Sequence, residues 1–210
     1  MCNLYDIGPA RHAPLNAWEL TVVGAVETLE KPFGIRKTDP GLVVSLGDSL
    51  PVAEIRRWGF ERHYNPAVNN ARSDKLDGPW SLPWRNKQRC LIPLSTWYEW
   101  NGPPGAKQTF AFQSQQRDEL LWAAGLLEDR DSGPTYTMIT REASPTLAFV
   151  HPRMPALLEP AAFDVFFNAE DPRDLFNAPV AELSVFRCLN PLHHLSRHQG
   201  PEEMEMLPGF

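Results

Sequence analysis

A small residue directly behind an initiator methionine can become the mature N-terminus, and here that residue is Cys2. Freed of Met1, it would carry two nucleophiles on adjacent carbons. Its thiol has an ordinary pKa of about 8.5 and its α-amine one of about 7.7–8.0, so each is partly reactive near neutral pH. An aldehyde meeting such a 1,2-aminothiol forms an imine with the amine and then closes on sulfur into a five-membered thiazolidine. A peptide carbonyl would instead meet a thiolate with its own amine as base, the N-terminal nucleophile arrangement. The plain alternative is that Cys2 is an incidental small residue. Two further stretches could do chemistry. In Trp97-Tyr98-Glu99-Trp100, desolvation by the tryptophans would raise the Glu99 pKa and suit it to proton transfer, unless it is an exposed edge-strand glutamate. In His151-Pro152-Arg153-Met154-Pro155, two prolines stiffen the backbone around a histidine and an arginine.

The elements that must hold these residues read mostly as strands. After a strand-like opening, a helix is expected around Ala17–Leu29. The β-branched run Leu42–Leu46, ended by Gly47-Asp48, pairs with Val52–Trp58 as a hairpin or meander. Alternation through Trp97–Trp100 puts Trp97 and Glu99 on one face and Tyr98 and Trp100 on the other. Thr109–Gln113, Leu120–Leu127 and Thr135–Arg141 continue as an antiparallel meander, and Pro160 opens a helix through Phe167, with a short one over Pro172–Phe176. Between Gly59 and Arg89 periodicity fades while Tyr64, Asn69, Asn70, Arg72, Trp80, Trp84, Arg85, Lys87 and Arg89 accumulate behind Trp58. Aromatic faces for bases and cations for phosphates are what a single-strand surface needs. A long surface connection anchored by tryptophans would look the same.

At 210 residues and 42% hydrophobic content, one domain over 1–210 is expected, with an acidic tail from about 199 to 210. Cys2, Cys90 and Cys188 give neither a disulfide framework nor a metal-binding pair, which makes a reducing cytoplasm the simplest home. No signal-like or membrane-spanning run is present, and a soluble, monomeric protein is expected. The histidines of His193-His194-Leu195-Ser196-Arg197-His198 have no carboxylate or cysteine at ligand spacing, so neither metal nor cofactor is expected. The net charge of −6 argues against generic polyanion binding, but residues 56–89 carry 8 basic and 3 acidic residues. That segment suits a localised phosphate groove or a merely solvated face.

Taken in order, Met1-Cys2-Asn3-Leu4-Tyr5, Trp58-Gly59, Asn70-Ala71-Arg72, Arg89-Cys90-Leu91-Ile92-Pro93 with Trp97-Tyr98-Glu99-Trp100, and His151-Pro152-Arg153-Met154-Pro155 resemble the SOS-response-associated peptidase (SRAP) family of abasic-site processing proteins. The resemblance implies an α+β fold: a mostly antiparallel, barrel-like sheet with peripheral helices, and a cleft for single-stranded DNA. It implies that Cys2 links to the ring-opened aldehyde of an abasic site, that Asn70 orients its amine or thiol, that Glu99 moves protons, and that His151 assists at the sugar. Arg72 and Arg153 would hold flanking phosphates, with Trp58, Arg85 and Arg89 completing the DNA surface and the protein nucleoid-associated when bound. Self-processing could remove Met1. Three departures touch the DNA contacts: Pro152 follows the histidine where the family often has an acidic residue, Asp74 stands in place of a glutamate, and Arg36-Lys37-Thr38-Asp39-Pro40 replaces a tyrosine-asparagine motif. Two rivals remain at this point, an N-terminal cysteine amidohydrolase such as a glutamine amidotransferase and a non-catalytic single-strand binding protein. No glutamine-binding and oxyanion constellation is evident for the first. The second would make Cys2 dispensable.

Overall fold

In the computed structural model, whose described residues are 2–8, 17–48, 50–116, 119–179, 182–193 and 205–208, strands dominate. In chain order the elements are β1 (Leu4–Asp6), α1 (Ala17–Val26), β2 (Ile35–Arg36), β3 (Pro40–Leu46), β4 (Pro51–Trp58), β5 (Phe60–Arg62), β6 (Asn65–Val68), β7 (Asn70–Arg72), α2 (Ser81–Arg85), β8 (Arg89–Leu94), β9 (Thr96–Asn101), β10 (Gln108–Ser114), β11 (Leu121–Arg130), β12 (Gly133–Glu142), β13 (Arg153–Pro155), α3 (Phe163–Asn168), β14 (Leu183–Cys188) and β15 (Glu205–Met206). Single 3₁₀ turns follow β7, precede α3 and cover Arg173–Asn177.

The strands β11-β8-β3-β4-β12 pair in that order, and β11 also pairs directly with β12, so five strands close into a barrel. Closure removes the unpaired edges that an open sheet would expose. The barrel is mixed, because β4 lies parallel to β12 while the other neighbours are antiparallel. A second, antiparallel sheet in the order β15-β14-β10-β9-β1-β2 packs the N-terminal strand between β9 and β2. The expected barrel-like sheet with peripheral helices is therefore present, and the Leu42–Leu46 hairpin forms in register from Pro40↔Arg57 to Leu46↔Pro51.

The residues that make these elements also explain their packing. Trp18, Val22, Ala25, Val26 and Leu29 recur at helical spacing and turn one face of α1 and the turn beyond it onto the core. All six residues of β8 are buried, as a near-continuous apolar strand covered on both faces should be. Inside the barrel the hydroxyls of Tyr5 and Tyr136 hydrogen-bond to each other over Gly41. A β-carbon at Gly41 would collide with both hydroxyls, so the backbone must come this close without a side chain.

Sequence periodicity misses β5, β6, β7, β13 and β14. The first four are only 3 or 4 residues long and carry asparagine, proline or arginine, too short to show an alternation. In β14, Leu183 and Val185 are buried on one face, but Arg187 and Cys188 break the pattern. Of the histidine-rich stretch, the side chains of His193, His194 and His198 lie outside the described residues.

Candidate active site

Cys2 is reached through β1, and β1 is fixed from both sides. The Asp6 carboxylate accepts 2.6 Å hydrogen bonds from the Gly34 N–H and from the Tyr98 hydroxyl, while Tyr5 pairs with Trp97 across the β1–β9 ladder. One buried side chain thus ties the first strand to a loop and to the strand that carries Glu99. The 59–69 excursion completes the arrangement. The chain leaves the edge of β12 after Trp58, forms the β5–β6 hairpin, and returns to that edge as β7, parallel to β12 with Asn70 opposite Met138. The excursion brings Trp58 and Asn69 together, and the indole N–H donates to the Asn69 carbonyl at 2.9 Å.

At this junction two amide side chains converge on Cys2. The Asn70 Nδ2 donates to the Cys2 carbonyl at 2.8 Å and the Asn69 Nδ2 at 3.1 Å, while Asn69 also reaches Asn3 Oδ1 at 3.1 Å. The Asn70 Oδ1 is buried without a hydrogen-bond partner, an acceptor facing a site where an amine could donate. Both donors address the carbonyl of Cys2 itself, one peptide beyond the Met1–Cys2 bond. They hold Cys2 in place. Sequence reading singles out Asn70 alone, because the adjacent amide carries no periodic or motif signal.

The Cys2 thiol is fully buried and donates weakly to the Leu4 carbonyl at 3.7 Å. Burial pushes its pKa well above the ordinary thiol range, and the nearby Glu99 carboxylate pushes it further. Glu99 itself is 4% exposed, and desolvation raises its pKa to about 7. A carboxyl poised there can give or take a proton near neutral pH. The edge-strand alternative for Glu99 does not hold, since β9 lies inside its sheet between β1 and β10. Its neighbour Trp97 stacks on Phe112 at 4.7 Å and seals that face.

His151 precedes β13, with its Nδ1 3.0 Å from the Arg153 backbone N–H. The same nitrogen lies 3.0 Å from the Arg153 carbonyl, so a neutral ring can meet this backbone group through either tautomer. Partial burial lowers the pKa of His151 and favours this neutral form. Arg72 and Arg153 stand on either side of β12, opposite Thr140 and Glu142. Both turn to Asp74: Arg72 clasps it through Nε at 3.0 Å and Nη2 at 2.6 Å, and Arg153 Nη1 approaches at 3.4 Å. A cleft of about 900 Å³ opens beside them, lined by Asp74, Arg141, Arg153 and Arg173 among others, but not by Cys2 or Glu99.

Two expected DNA-surface residues are elsewhere. Arg89 is buried, donating to the carbonyls of Phe166 and Ala169 at 2.7 Å, Glu170 at 2.9 Å and Trp84 at 3.3 Å, with its guanidinium over the Trp84 ring. It caps the ends of α2 and α3, and its one unpaired donor, Nε, is buried away from any phosphate. Trp58 is fully buried between Tyr5 and Tyr136, with ring centroids at 5.0 and 6.3 Å, and is a wall of the core rather than a platform for bases. The basic segment as a whole is largely consumed within the protein: Arg56 pairs with Glu54 and Asp129, Arg62 with Glu128, and Lys87 with Glu170. Arg85 is exposed. Among the described residues no cluster of metal-ligating side chains forms, and no helix is long and apolar enough to cross a membrane.

The family model described as SOS response associated peptidase (SRAP) matches residues 1–188. The chain belongs to this family. Curated relatives of this SRAP chain include the abasic site processing protein YMR114C of Saccharomyces cerevisiae, 33% identical over 109 residues. Another is the abasic site processing protein HMCES of Gallus gallus, 30% identical over 117 residues. These matches take in 51% and 44% of this chain but only 28% and 35% of the relatives, well under two thirds of their length. The SRAP fold recurs in a solved Bacteroides thetaiotaomicron protein, with a TM-score of 0.70, 17% identity and coverage of 92% of this chain and 94% of that one. A Bordetella bronchiseptica protein matches with a TM-score of 0.68 at 21% identity, over 90% and 100% of the two chains.

Proposed function

We propose that this protein captures the ring-opened aldehyde of abasic sites in single-stranded DNA, using Cys2 as an N-terminal aminothiol and leaving a thiazolidine crosslink. The observation that carries this reading is the convergence on Cys2: two amides clamp its carbonyl, and a buried carboxyl with a pKa of about 7 lies close enough to perturb its thiol. Membership of the SRAP family and relatives named abasic site processing proteins support the choice of substrate. Removal of Met1 comes first, because while it remains the Cys2 nitrogen is an amide and cannot form an imine.

Burial of the thiol supports one order of steps. A thiol held neutral is a poor first nucleophile, so the α-amine attacks the aldehyde carbon and gives a carbinolamine. The protonated Glu99 donates to the departing hydroxyl, water leaves, and an imine remains. The thiol then adds to the imine carbon while its proton passes through the Glu99 carboxylate to nitrogen. One C–N and one C–S bond form, one water is released and no oxidant is needed. Asn70 Oδ1 accepts from the amine and aims its lone pair, and neutral His151 assists at a sugar oxygen during ring opening. Arg72 and Arg153 hold the phosphates on either side.

Intact mass spectrometry of the purified protein, before and after incubation with an abasic single-stranded oligonucleotide, tests the proposal. The expected species has lost Met1 and gained the oligonucleotide mass less one water. Protein shown to lack Met1 that forms no such adduct would overturn the reading.

A further inference from the structure

Arg72 and Arg153 are the cations closest in sequence to the site residues Asn70 and His151, yet neither is idle. Arg72 follows Asn70 by two residues of β7, about 6.6 Å along the strand from the residue whose amide holds Cys2. Its guanidinium is 52% exposed but closed on Asp74 in a two-point grip, Nε to Oδ1 at 3.0 Å and Nη2 to Oδ2 at 2.6 Å. Arg153 is only 11% exposed and is fixed from behind by the Thr140 carbonyl, which leaves Nη1 turned to the same Asp74 Oδ1 at 3.4 Å. Planar forks of this kind accept carboxylates and phosphates in one geometry. Asp74 stands in the first turn after β7 and lines the 900 Å³ cleft together with Arg153, so a ligand entering there meets the carboxylate as well as the cation.

We propose that Asp74 is an internal competitor for DNA phosphate: it occupies the anion seat shared by Arg72 and Arg153, and a bound strand must displace it. This rests on the reading of the site as one for single-stranded DNA. It makes the native residue a brake on non-covalent affinity, with three consequences. Neutralising Asp74 tightens binding, adds close to one phosphate contact to the salt dependence, and leaves the crosslinking chemistry at Cys2 untouched. The pair is solvent-exposed, so breaking it costs the fold little.

The test compares Asp74→Asn with its parent, both carrying Cys2→Ala, for equilibrium binding of a labelled single-stranded oligonucleotide without an abasic site. Asp74→Asn is expected to bind about two- to fivefold tighter, the range an exposed ion pair can account for. Its log–log salt slope should steepen by about 0.7. Arg72→Ala should bind more weakly than the parent. Equal or weaker binding by Asp74→Asn would mean that the carboxylate steadies the two guanidiniums for DNA rather than competing with it, and the proposal would be wrong. Neither the aldehyde nor the Cys2 thiol is present in this experiment. A failure of the protein with Cys2 intact to crosslink abasic DNA would therefore count against the proposed function without altering the outcome here.

Discussion

Two parts of the molecule look equally functional in sequence and come out differently in the fold. Around Cys2, groups from β1, β7 and β9 approach one residue, and several polar atoms are left in states that folding alone does not need: a carboxyl with its pKa raised to about 7, an amide oxygen with no partner, a carbonyl with two donors. In the 56–89 segment the opposite holds. Most of its cations are engaged by carboxylates and helix ends, so much of the positive charge in the sequence is answered within the fold. Local excess charge shows what a segment could bind, whereas unmet capacity in the folded state shows what a site is prepared to bind.

Cys2→Ala should remove the covalent protein–DNA species altogether, as should any residue retained in front of Cys2, read by denaturing gel after incubation with abasic oligonucleotide. A stable adduct from either variant would break the contrast at its centre, since the N-terminal cluster would then have no privileged role.

Glu99→Gln should slow single-turnover adduct formation by about 10²–10⁴-fold with little change in DNA affinity. The acid form is present below pH 7 and lost above it, whereas the amine becomes reactive only as pH rises toward 8. Parent rates should therefore pass through a maximum near neutrality, and the variant should lose the descending alkaline limb. Stability gives an independent reading. With a folded pKa of about 7 against an ordinary 4.5, the native state binds more protons than the unfolded chain across that interval, so parent stability falls as pH rises through it. Glu99→Gln escapes this loss, and the stability difference in its favour should grow to at most about 3 kcal/mol by pH 8. A pH-independent difference would return Glu99 to an ordinary buried position.

Within the basic segment, Arg89→Met should destabilise the fold by about 2–4 kcal/mol in denaturant titrations, because it leaves the carbonyls closing α2 and α3 unpaired. Arg85→Ala should change stability by less than about 0.5 kcal/mol. If Arg89→Met kept full stability but lost DNA binding, the segment would regain the role its composition suggests.

The sequence made some of this legible for physical reasons. Cys2 is conspicuous because chain position alone gives it two nucleophiles, and Glu99 because alternating aromatics announce a dry face. The hairpins of the barrel are written in local periodicity and turn residues. What is hidden depends on distant partners. Arg89 meets carbonyls 77 to 81 residues away, so nothing near it in sequence marks it as structural. Asn69 acts through a contact 67 residues away, and the parallel pairing of β4 with β12, which closes the barrel, and of β7 with β12 joins segments that share no turn.

β12 gives the molecule a property that no single side chain confers. It pairs with β11 on one edge, with β4 and then β7 on the other, and with β13 near its end, so the strands bearing Asn70, Arg72 and Arg153 all take their register from it. Such a strand has no partial way to open: releasing its central amides to solvent means dismantling the barrel. Amide hydrogen exchange at Met138–Thr140 should therefore proceed only through global unfolding. Heat should silence the site at the temperature at which the whole fold melts, with no earlier, gradual decline.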